Sequence, residues 1–593
     1  IPSAVIDASA ASGMAGSLLA ESRWTNTKTL EHVEERDIRG EPPRIGIFVC
    51  CCGTNIAAYV DVPKVVEYAK TLPYVVFAQQ NLFSCSQDTQ DEMTQIIKDQ
   101  GLNRVVVAAC TPKTHEPLFQ MTVSKAGLNK YLFEMANIRN QCSWVHQSDM
   151  ILATTKAKDL VKMAAAKAVL YKPLAEPEMK VNQQVLIVGG GVAGLEAAKN
   201  LSQQGYVTYV IEKSGQLGGH TKKLYKTWQG EFIKDYFDNL MDDINDETQI
   251  LYWLNAQILS VEGSIGNFRT TILSNGQKRI LSHGVVIIAS GASQYIPAEY
   301  LYGKSDRVMT SLELEQKLSN NTDFKSYKTI AFVQCVGSRN EKRPYCSRVC
   351  CTQSIKNAIL LKQMDAGRQI YILYRDIRTY GMREDLYRAA RDMGIHFIRY
   401  NNDKTLQVTQ NNDLIKLEFT DIVLRREMVI ETQLLVLASA VIAEEKNSLV
   451  KLFKISQNED HFFAEAHVKL RPNDFAIDGM FLCGIAHGPK TVGESITQAR
   501  AAAARAVTVL SKKSVSLLGT VAYVDPTLCS QCSVCVSICP YYAPIFNLKT
   551  KKAQIQHTLC KGCGLCVASC RSGAINLNGF ETSEILDMVK SIL

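Results

Sequence analysis

The sequence predicts a multidomain α/β protein, and three observations support this fold class. Between residues 41 and 180, strand-length apolar segments (45–49, 74–79, 104–109 and 131–135) alternate with helical segments, which is typical of a parallel sheet. A further strand, which is followed by a glycine turn and a helix, begins at Val185. At 593 residues, the chain can form several domains of roughly 100–200 residues each.

The composition is that of a globular protein, with 46% hydrophobic and 21% charged residues. The net charge of +8 is spread along the chain, so we expect no nucleic-acid binding. No apolar stretch is as long as a membrane helix, which argues against membrane insertion. Residues 1–40 are rich in Ala and Ser without a basic start, and we interpret them as an extension and not a secretory signal. Nineteen cysteines, many at metal-ligand spacing, favour a reducing, cytoplasmic setting.

Cysteines follow each predicted strand of the first α/β region: Cys50, Cys51, Cys52, Cys85, Cys110 and Cys142. The carboxyl ends of the strands in an open α/β sheet form the ligand crevice. Repetition at this edge favours an iron–sulfur cluster over buried free cysteines, which are common in protein cores. The predicted ligands are Cys50 or Cys51, together with Cys52, Cys85 and Cys110.

The second strand–turn–helix unit carries a dinucleotide-binding pattern. Gly189 and Gly191 permit a tight turn and the close approach of a pyrophosphate to the helix N-terminus, and Gly194 lets that helix pack on the strand. The next strand, 207–211, ends at Glu212, an acid that can bind an adenosine ribose. The alternative is a βαβ turn without a ligand. The predicted contacts are Gly189, Gly191, Val192, Ala193, Gly194, Glu212, Lys213, Gly218, Gly219, His220, Ala289, Gly291 and Gly484.

The order of the downstream motifs resembles the FAD domain of thioredoxin-reductase-like flavoproteins. In that family the final motif ends in Gly-Asp, whereas here Gly484 is followed by Ile485 and leads to His487 and Lys490. The resemblance places these two cationic residues near the isoalloxazine ring, where a cation tunes the flavin. Lys490 is our candidate catalytic residue, and an exposed loop lysine is the alternative.

An inserted module, roughly 326–432, departs from the pattern of a nucleotide-binding domain. Its first strand, 329–333, leads into cysteines instead of a glycine turn for NAD(P)H, and the predicted helix 352–364 follows them. Four cysteines lie within 17 residues, and four thiolates bind one [4Fe–4S] cluster: Cys335, Cys346, Cys350 and Cys351. We predict a cluster in place of the nicotinamide site. A redox dithiol is the alternative, and one of the adjacent pair 350–351 is a possible spectator.

The last 65 residues contain two tandem CxxCxxCxxxC runs, the spacing of a two-cluster ferredoxin. In such domains the fourth cysteine of each run binds the other cluster. One predicted set is therefore Cys529, Cys532, Cys535 and Cys570, and the other is Cys560, Cys563, Cys566 and Cys539. Zinc sites and disulfides do not favour two intact runs of this kind.

Together these residues resemble the A-type flavoprotein component of heterodisulfide reductase from about residue 41 onward. The stretches that carry the resemblance are 48–56, 102–112, 131–138, 141–146, 335–351 and 374–381. Three features depart from the family: Cys51 replaces a usual His, Arg571 replaces a common Pro, and a second inserted ferredoxin domain is missing. The expected domains are 1–40 (extension), 41–180 (α/β with a cluster), 181–325 and 433–513 (FAD), 326–432 (inserted module) and 514–593 (ferredoxin).

The resemblance implies FAD, about four [4Fe–4S] clusters and a role in anaerobic metabolism as a flavin-based electron-bifurcating or confurcating hub. Implied partners are ferredoxin, disulfide-reductase-type and small iron–sulfur proteins of the same complex, a hydrogenase- or dehydrogenase-linked donor, and a second copy of the chain. A non-bifurcating conduit serving a quinone-linked or acyl-CoA reductase is the alternative. A stand-alone NAD(P)H-dependent enzyme is disfavoured by the cysteines at the nucleotide turn.

Overall fold

The computed structural model describes residues 1–27, 33–400, 406–445 and 447–593. These residues form two compact units, each assembled from two separate stretches of chain. The first unit comprises residues 1–25 and 179–515, and the second comprises 26–178 and 516–593. No helix in the described part of the chain combines the length and apolar character needed to cross a membrane.

The described residues form these α-helices: α1 (Pro2–Leu18), α2 (Val62–Lys70), α3 (Gln87–Asp99), α4 (Pro112–Lys125), α5 (Met150–Val169), α6 (Val192–Gln203), α7 (Ile233–Asp246), α8 (Ser311–Ser319), α9 (Cys350–Met364), α10 (Glu384–Asp392), α11 (Ser448–Phe453), α12 (Val492–Leu510), α13 (Val534–Ile538), α14 (Leu565–Ala568) and α15 (Thr582–Ile592). Short 3₁₀ turns occupy Ala20–Ser22, Gly53–Asn55, Gly219–Lys223, Gly381–Arg383 and Gly484–Ala486, and a π-turn occupies Arg139–Ser143.

The strands are β1 (Ile45–Cys50), β2 (Val75–Asn81), β3 (Arg104–Ala109), β4 (Phe133–Asn137), β5 (Glu178–Lys180), β6 (Val185–Val188), β7 (Thr208–Ile211), β8 (Ile250–Trp253), β9 (Ala256–Ser264), β10 (Asn267–Ser274), β11 (Gln277–His283), β12 (Val285–Ile288), β13 (Ser293–Gln294), β14 (Val308–Thr310), β15 (Thr329–Val336), β16 (Gln369–Tyr374), β17 (His396–Arg399), β18 (Gln407–Asn411), β19 (Leu414–Asp421), β20 (Arg426–Thr432), β21 (Leu434–Ser439), β22 (Val441–Ile442), β23 (Met480–Leu482), β24 (Ser514–Ser516), β25 (Ala522–Val524), β26 (Pro544–Asn547), β27 (Lys552–Ile555) and β28 (Ile575–Leu577).

The first unit is built around a parallel sheet with strand order β23-β12-β6-β7-β8. One face packs against α6, α7 and α12, and the other faces the antiparallel sheet β11-β10-β9. The four residues of β6 are all buried, as expected for a strand covered on both faces. Strand β23, contributed from far along the chain, brings the segment after residue 482 to the same sheet edge as the glycine turn after β6.

The inserted module forms a second parallel sheet of order β14-β21-β15-β16-β17, with the antiparallel sheet β18-β19-β20 beside it. Its core lies on both faces of the central strands. The predicted strand 329–333 is confirmed and continues to Val336. Helix α9 begins at Cys350, two residues before the start expected from the sequence, so two of the cysteines lie in its first turn.

In the second unit, a four-stranded parallel sheet of order β2-β1-β3-β4 confirms the parallel α/β prediction. Helices on both faces enclose its core, which includes the fully buried strands β1 and β3. The same unit contains two short antiparallel pairs, β25–β28 and β26–β27, around a small core that includes cysteine side chains. Helix α15 packs against α5.

The N-terminal stretch contains a structural element that the sequence pattern did not predict. Helix α1 packs against α12, and it approaches so closely that a Cβ on Gly13 would lie 2.8 Å from the carbonyl oxygen of Arg500. The amide of Asn200 donates to the carbonyl oxygen of Gly13 at 3.2 Å. Residues 1–25 therefore belong to the first compact unit.

Candidate functional site

Two cavities in the C-terminal part of the second unit are each lined by four cysteines. The lining of the first includes Cys529, Cys532, Cys535 and Cys570. The lining of the second includes Cys539, Cys560, Cys563 and Cys566. Each cavity thus receives three cysteines from one run and the last cysteine from the other, which is the crossed arrangement predicted from the spacing.

Backbone geometry at these runs places one cysteine of each, Cys535 and Cys566, in the small core. Helices α13 and α14 are each preceded by a residue in the left-handed region, Ser533 and Gly564. Burial raises the pKa of Cys566 to about 11, whereas the backbone N–H of Val534 lowers the pKa of Cys532. A buried thiol favours its neutral form, so a cationic metal cluster is the partner that would stabilise these groups as thiolates.

The four cysteines of the inserted module also come together. Cys335 is buried near the end of β15 with a φ of +63°, while Cys350 and Cys351 open α9. The pKa of the Cys350 thiol is raised by its hydrogen bond with the Cys351 side chain and by burial, with further contributions from Cys335 and Cys346. The same hydrogen bond lowers the pKa of Cys351 to about 7. Burial raises the pKa of Cys335 to about 11, and the Arg339 guanidinium lies 4.0 Å from its sulfur.

The N-terminal cysteines divide into a group and an outlier. Cys110 lies within electrostatic range of Cys85 and Cys52, and Cys50 within range of Cys52, at the carboxyl edge of the sheet. Burial raises the pKa of both Cys50 and Cys110. Cys142 instead lies in the hydrophobic core, where its thiol donates to the carbonyl oxygen of Ala153 at 3.0 Å. The structure therefore brings the four candidate ligands to one edge and leaves Cys142 elsewhere.

Among the described residues, no three His, Cys, Asp or Glu side chains converge on the position of a single metal ion. In a [4Fe–4S] cluster the thiolates bind separate irons of one cubane. The donor sets, four sulfurs around each C-terminal cavity, fit such a cluster.

The glycine turn after β6 has the close contacts expected of a dinucleotide site. A Cβ on Gly189 would lie 2.3 Å from the carbonyl oxygen of Ala289, and one on Gly194 would lie 1.9 Å from that of Gly189. Gly191, by contrast, has no atom within 4 Å of its Cβ position. Gly191 is the N-cap residue of α6, and no side chain forms a capping hydrogen bond there. The helix N-terminus is therefore open for a pyrophosphate.

The other predicted flavin contacts surround this turn. Gly218 bridges to Gly191, and a Cβ on Gly484 would lie 2.8 Å from Ala193. The Glu212 carboxylate accepts the N–H of Gly190 at 2.8 Å, which directs it toward the turn. Further members of the predicted set lie close by or at the strand ends: Val192 opens α6, Gly219 is 3.5 Å from Gly191, His220 contacts the carbonyl oxygen of Ala292, Gly291 lies near Ile485, and Lys213 is exposed beside Glu212.

Lys490 is mostly buried and is not an exposed loop lysine. Its ammonium group donates to the carbonyl oxygens of Gly484 at 2.9 Å and Gly488 at 3.1 Å. Burial lowers the pKa of Lys490 to about 7, and the positive charge of Arg348 acts in the same direction. Such a lysine can hold or release a proton near neutral pH.

Two residues that the sequence did not indicate, Glu465 and Gln498, contact the predicted site residue His487. His487 bonds to the Glu465 carboxylate at 3.0 Å through Nε2, and its Nδ1 lies 2.8 Å from the amide nitrogen of Gln498. Burial lowers the pKa of His487, and its hydrogen bond lowers that of Glu465. Glu465 lies 22 residues from His487 and belongs to no motif, so no sequence signal identified the pair.

Unpartnered polar atoms support the fit of a bound cofactor in the first unit. The buried hydroxyl of Ser290, beside the glycine turn, has no hydrogen-bond partner. Neither does the side-chain oxygen of Gln498 or the side-chain nitrogen of Asn473 near His487. Buried polar atoms are almost always paired, so these atoms are available to pair with a bound group.

Comparison with known proteins agrees with this architecture. Residues 183–333 match the pyridine nucleotide-disulphide oxidoreductase family. The chain is 36% identical to the second iron–sulfur A-type component of CoB--CoM heterodisulfide reductase from Methanopyrus kandleri, over 85% of this chain and 91% of that protein. It is 34% identical to the A-type component of the H(2):CoB-CoM heterodisulfide,ferredoxin reductase of Methanothermobacter thermautotrophicus, over 86% and 92%. T. acidophilum thioredoxin reductase matches 56% of this chain and 99% of its own at 14% identity, with a TM-score of 0.39.

The fold and the sites define an oxidoreductase whose cofactors are FAD and iron–sulfur clusters. The similarity over most of both chains identifies the family more closely. The chain belongs to the family of A-type components of heterodisulfide reductase. The resemblance drawn from the cysteine and glycine motifs is thereby confirmed.

Proposed function

We propose that the chain is the flavin-based electron-bifurcating or confurcating hub of a heterodisulfide-reductase-like complex. The observation that carries this proposal is the replacement of the nicotinamide turn after β15 by Cys335 and its three neighbouring cysteines. A flavin site without a pyridine-nucleotide turn, but with a cysteine cluster in its place, suits exchange of electrons with iron–sulfur centres.

In this proposal the first unit holds FAD through its backbone. The open N-terminus of α6 and Gly191 bind the pyrophosphate, and Glu212 accepts hydrogen bonds from the ribose. Lys490 holds a proton beside the isoalloxazine ring, and its lowered pKa lets that proton leave near pH 7. When bound, FAD supplies the conversion between electron pairs and single electrons, and the clusters carry single electrons.

Four clusters are proposed, two in the ferredoxin domain and two outside it. The proposed ligands are the predicted cysteines: Cys50, Cys52, Cys85 and Cys110; Cys335, Cys346, Cys350 and Cys351; Cys529, Cys532, Cys535 and Cys570; Cys539, Cys560, Cys563 and Cys566. The proposed domain boundaries are those that the sequence predicts: 41–180, 181–325 with 433–513, 326–432 and 514–593.

The partners are proposed by analogy with the relatives. The Methanothermobacter thermautotrophicus relative is named for H(2), the CoB–CoM heterodisulfide and ferredoxin. We propose the same scheme here: an electron pair enters, one electron goes to ferredoxin and the other to a disulfide-type site on another protein of the complex. Because reduction of a disulfide needs two electrons, two such turnovers complete it. We also propose a dimer of the chain within the complex and a cytoplasmic location.

The non-bifurcating conduit remains the second candidate function. The cysteine arrangement supports the conduit and the bifurcating hub equally, because a chain of clusters around one flavin carries electrons in either scheme. The distinction lies in the flavin potentials. A bifurcating flavin needs crossed one-electron potentials, whereas a conduit does not.

Cofactor analysis of the purified holoprotein tests the proposal first. We expect one FAD and about sixteen iron and sixteen sulfide atoms per chain, from four cubanes. About eight of each would contradict the two clusters outside the ferredoxin domain. Fast stoichiometric reduction by NADPH alone would contradict the loss of the nicotinamide site.

A matched pair of variants locates the cluster of the inserted module. Cys335→Ser should lower the iron content by about four atoms, because it removes one ligand of a cubane. Cys142→Ser should leave the iron content unchanged, because Cys142 lies in the core with its thiol bonded to Ala153. Equal iron loss in both variants, or in neither, would refute the assignment of Cys335.

Redox titration of the flavin distinguishes the two candidate functions. The hub requires that a one-electron form of the flavin accumulates very little at any potential. Its stable accumulation over a wide range of potentials would support the conduit and exclude bifurcation.

A further inference from the structure

Arg348 connects the cysteine loop of the inserted module to the loop that precedes Lys490. It lies between Cys346 and Cys350, and its backbone N–H donates to the Cys346 sulfur at 3.4 Å. Its guanidinium group reaches away from the cysteines, and Nη1 donates to the carbonyl oxygen of Pro489 at 3.2 Å. One residue therefore contacts a candidate cluster ligand with its backbone and the candidate flavin loop with its side chain.

A second set of contacts ties Arg348 to the start of α12. Nη2 donates to the hydroxyl of Tyr380 at 2.8 Å and to Oε1 of Glu494 at 3.2 Å. The other carboxylate oxygen of Glu494 accepts the N–H of Thr491 at 2.8 Å and so caps α12. The planar guanidinium fork thus spans the cysteine loop, the Lys490 loop and the helix that follows it.

The backbone of Arg348 is held in an uncommon conformation. Its φ is +56°, in the left-handed region that a residue with a Cβ seldom adopts. About half of the side chain is exposed, so hydrophobic packing alone does not hold it there. Backbone strain of this kind persists where surrounding contacts determine the conformation, and these contacts are the hydrogen bonds of Arg348 on both sides.

We infer that Arg348 is a positioning residue that fixes the cysteine loop 335–351 against the loop 484–490 and adds positive charge beside Lys490. This inference rests on the proposed function, which assigns a cluster to the first loop and the flavin edge to the second. Electron tunnelling slows steeply with distance, so a fixed separation between the two loops keeps transfer between their cofactors fast.

The charge of Arg348 acts on Lys490 together with four other groups. Glu494, Glu465, His487 and Cys483 also face Lys490 or interact with it electrostatically. Of these neighbours, Arg348 is the cation that opposes protonation of Lys490, after burial itself. Removal of the Arg348 charge should therefore raise the pKa of Lys490.

Three variants of the holoprotein separate positioning from charge. Arg348→Met removes the charge and the hydrogen bonds, and Arg348→Lys keeps the charge but loses the fork. Arg383→Met is the matched control, because Arg383 also approaches Glu494, at 3.7 Å, and lies over the Tyr380 ring, but is not among the groups that shift Lys490. The measurements are iron and FAD content, hydrogen–deuterium exchange of both loops, and the pH profile of the flavin absorbance.

In Arg348→Met, exchange in residues 340–351 and 484–490 should rise together, roughly three- to tenfold, as expected for lost charged hydrogen bonds. The pH midpoint of the flavin absorbance should move upward, because loss of the Arg348 charge raises the pKa of Lys490. Arg348→Lys should show the faster exchange with an unchanged midpoint, and Arg383→Met should match the wild type in both measurements.

Two results would overturn the inference. One is an unchanged pH midpoint in Arg348→Met, and the other is unchanged exchange in both Arg348 variants. If Arg348→Met loses its cofactors, Arg348→Lys still decides the positioning role through its exchange. Failure of the proposed function is a separate result, since the wild type itself would then lack FAD or contain only about eight irons.

Discussion

Alanine substitutions at two glycines of the dinucleotide turn should differ in their effect on the stability of the apoprotein, although the two glycines are only three residues apart. An alanine at Gly194 would place its Cβ 1.9 Å from the carbonyl oxygen of Gly189, a backbone atom that cannot rotate away. To relieve this clash, α6 has to move away from the turn, and overpacking of this kind costs about 2 kcal/mol. Gly194→Ala should thus lower the melting temperature of the apoprotein by roughly 4–8 °C, and it should also weaken FAD binding.

Gly191→Ala is the matched variant. Its φ of −79° suits alanine, and its Cβ position has no atom within 4 Å, so the melting temperature of the apoprotein should stay unchanged. The added methyl group would nevertheless occupy the space where the pyrophosphate approaches, so FAD binding should fall at least tenfold, or about 1.4 kcal/mol. Differential scanning fluorimetry of the apoproteins and fluorescence of released FAD measure both effects.

The two variants together test whether the turn binds the pyrophosphate, because only Gly194→Ala should destabilise the apoprotein while both should weaken FAD binding. Destabilisation of the apoprotein by Gly191→Ala would show that the open space at this glycine is filled by protein atoms. Normal FAD binding by Gly191→Ala would refute the assignment of the turn to the pyrophosphate.

Three further predictions concern Lys490, the buried pair Lys356–Glu315, and the C-terminal cysteines. Because burial lowers the pKa of Lys490 to about 7, the unfolded chain binds more protons between pH 7 and 10, and stability should rise with pH through that window. Lys490→Met should therefore stabilise the apoprotein at pH 7 by about 2–3 kcal/mol after allowance for partial exposure, and the gain should vanish near pH 10 in thermal melts. Lys356→Met should destabilise the apoprotein by about 3–5 kcal/mol in urea unfolding, because it leaves the Glu315 carboxylate buried without its counter-charge, and a second change, Glu315→Leu, should restore most of the loss. Cys539→Ser and Cys570→Ser should remove different clusters, each seen as loss of a different component in the low-temperature magnetic resonance spectrum, and identical spectra would contradict the crossed ligand sets.

The sequence predicted elements best where their signal is local. The strand 185–188, its glycine turn and α6 follow one another directly, so the spacing of Gly189, Gly191 and Gly194 was sufficient to identify the unit. The same holds for the two C-terminal cysteine runs, whose crossed arrangement around two cavities follows from their spacing. Element starts were less accurate, because the first turn of a helix depends on contacts with its surroundings.

Residues that meet across long stretches of chain could not be predicted in this way. Cys142 follows a strand as Cys110 does, yet its thiol bonds inside the core, since the π-turn at 139–143 directs it away from the sheet edge. Helix α1 has no amphipathic pattern to indicate its partner, because its interface with α12 relies on small residues such as Gly13.

The sequence by itself determined the chemistry of this protein. Its glycine turn and cysteine runs specify FAD and [4Fe–4S] clusters, because each motif supplies its contacts within a few consecutive residues. Only the tertiary structure decided which groups surround the loop 484–490, the proposed flavin edge. Lys490 owes its lowered pKa to burial and to Arg348, which lies 142 residues earlier in the chain, and Glu465 reaches His487 from another loop. Charges and hydrogen bonds act through space, so their effects appear only when the fold brings distant segments together.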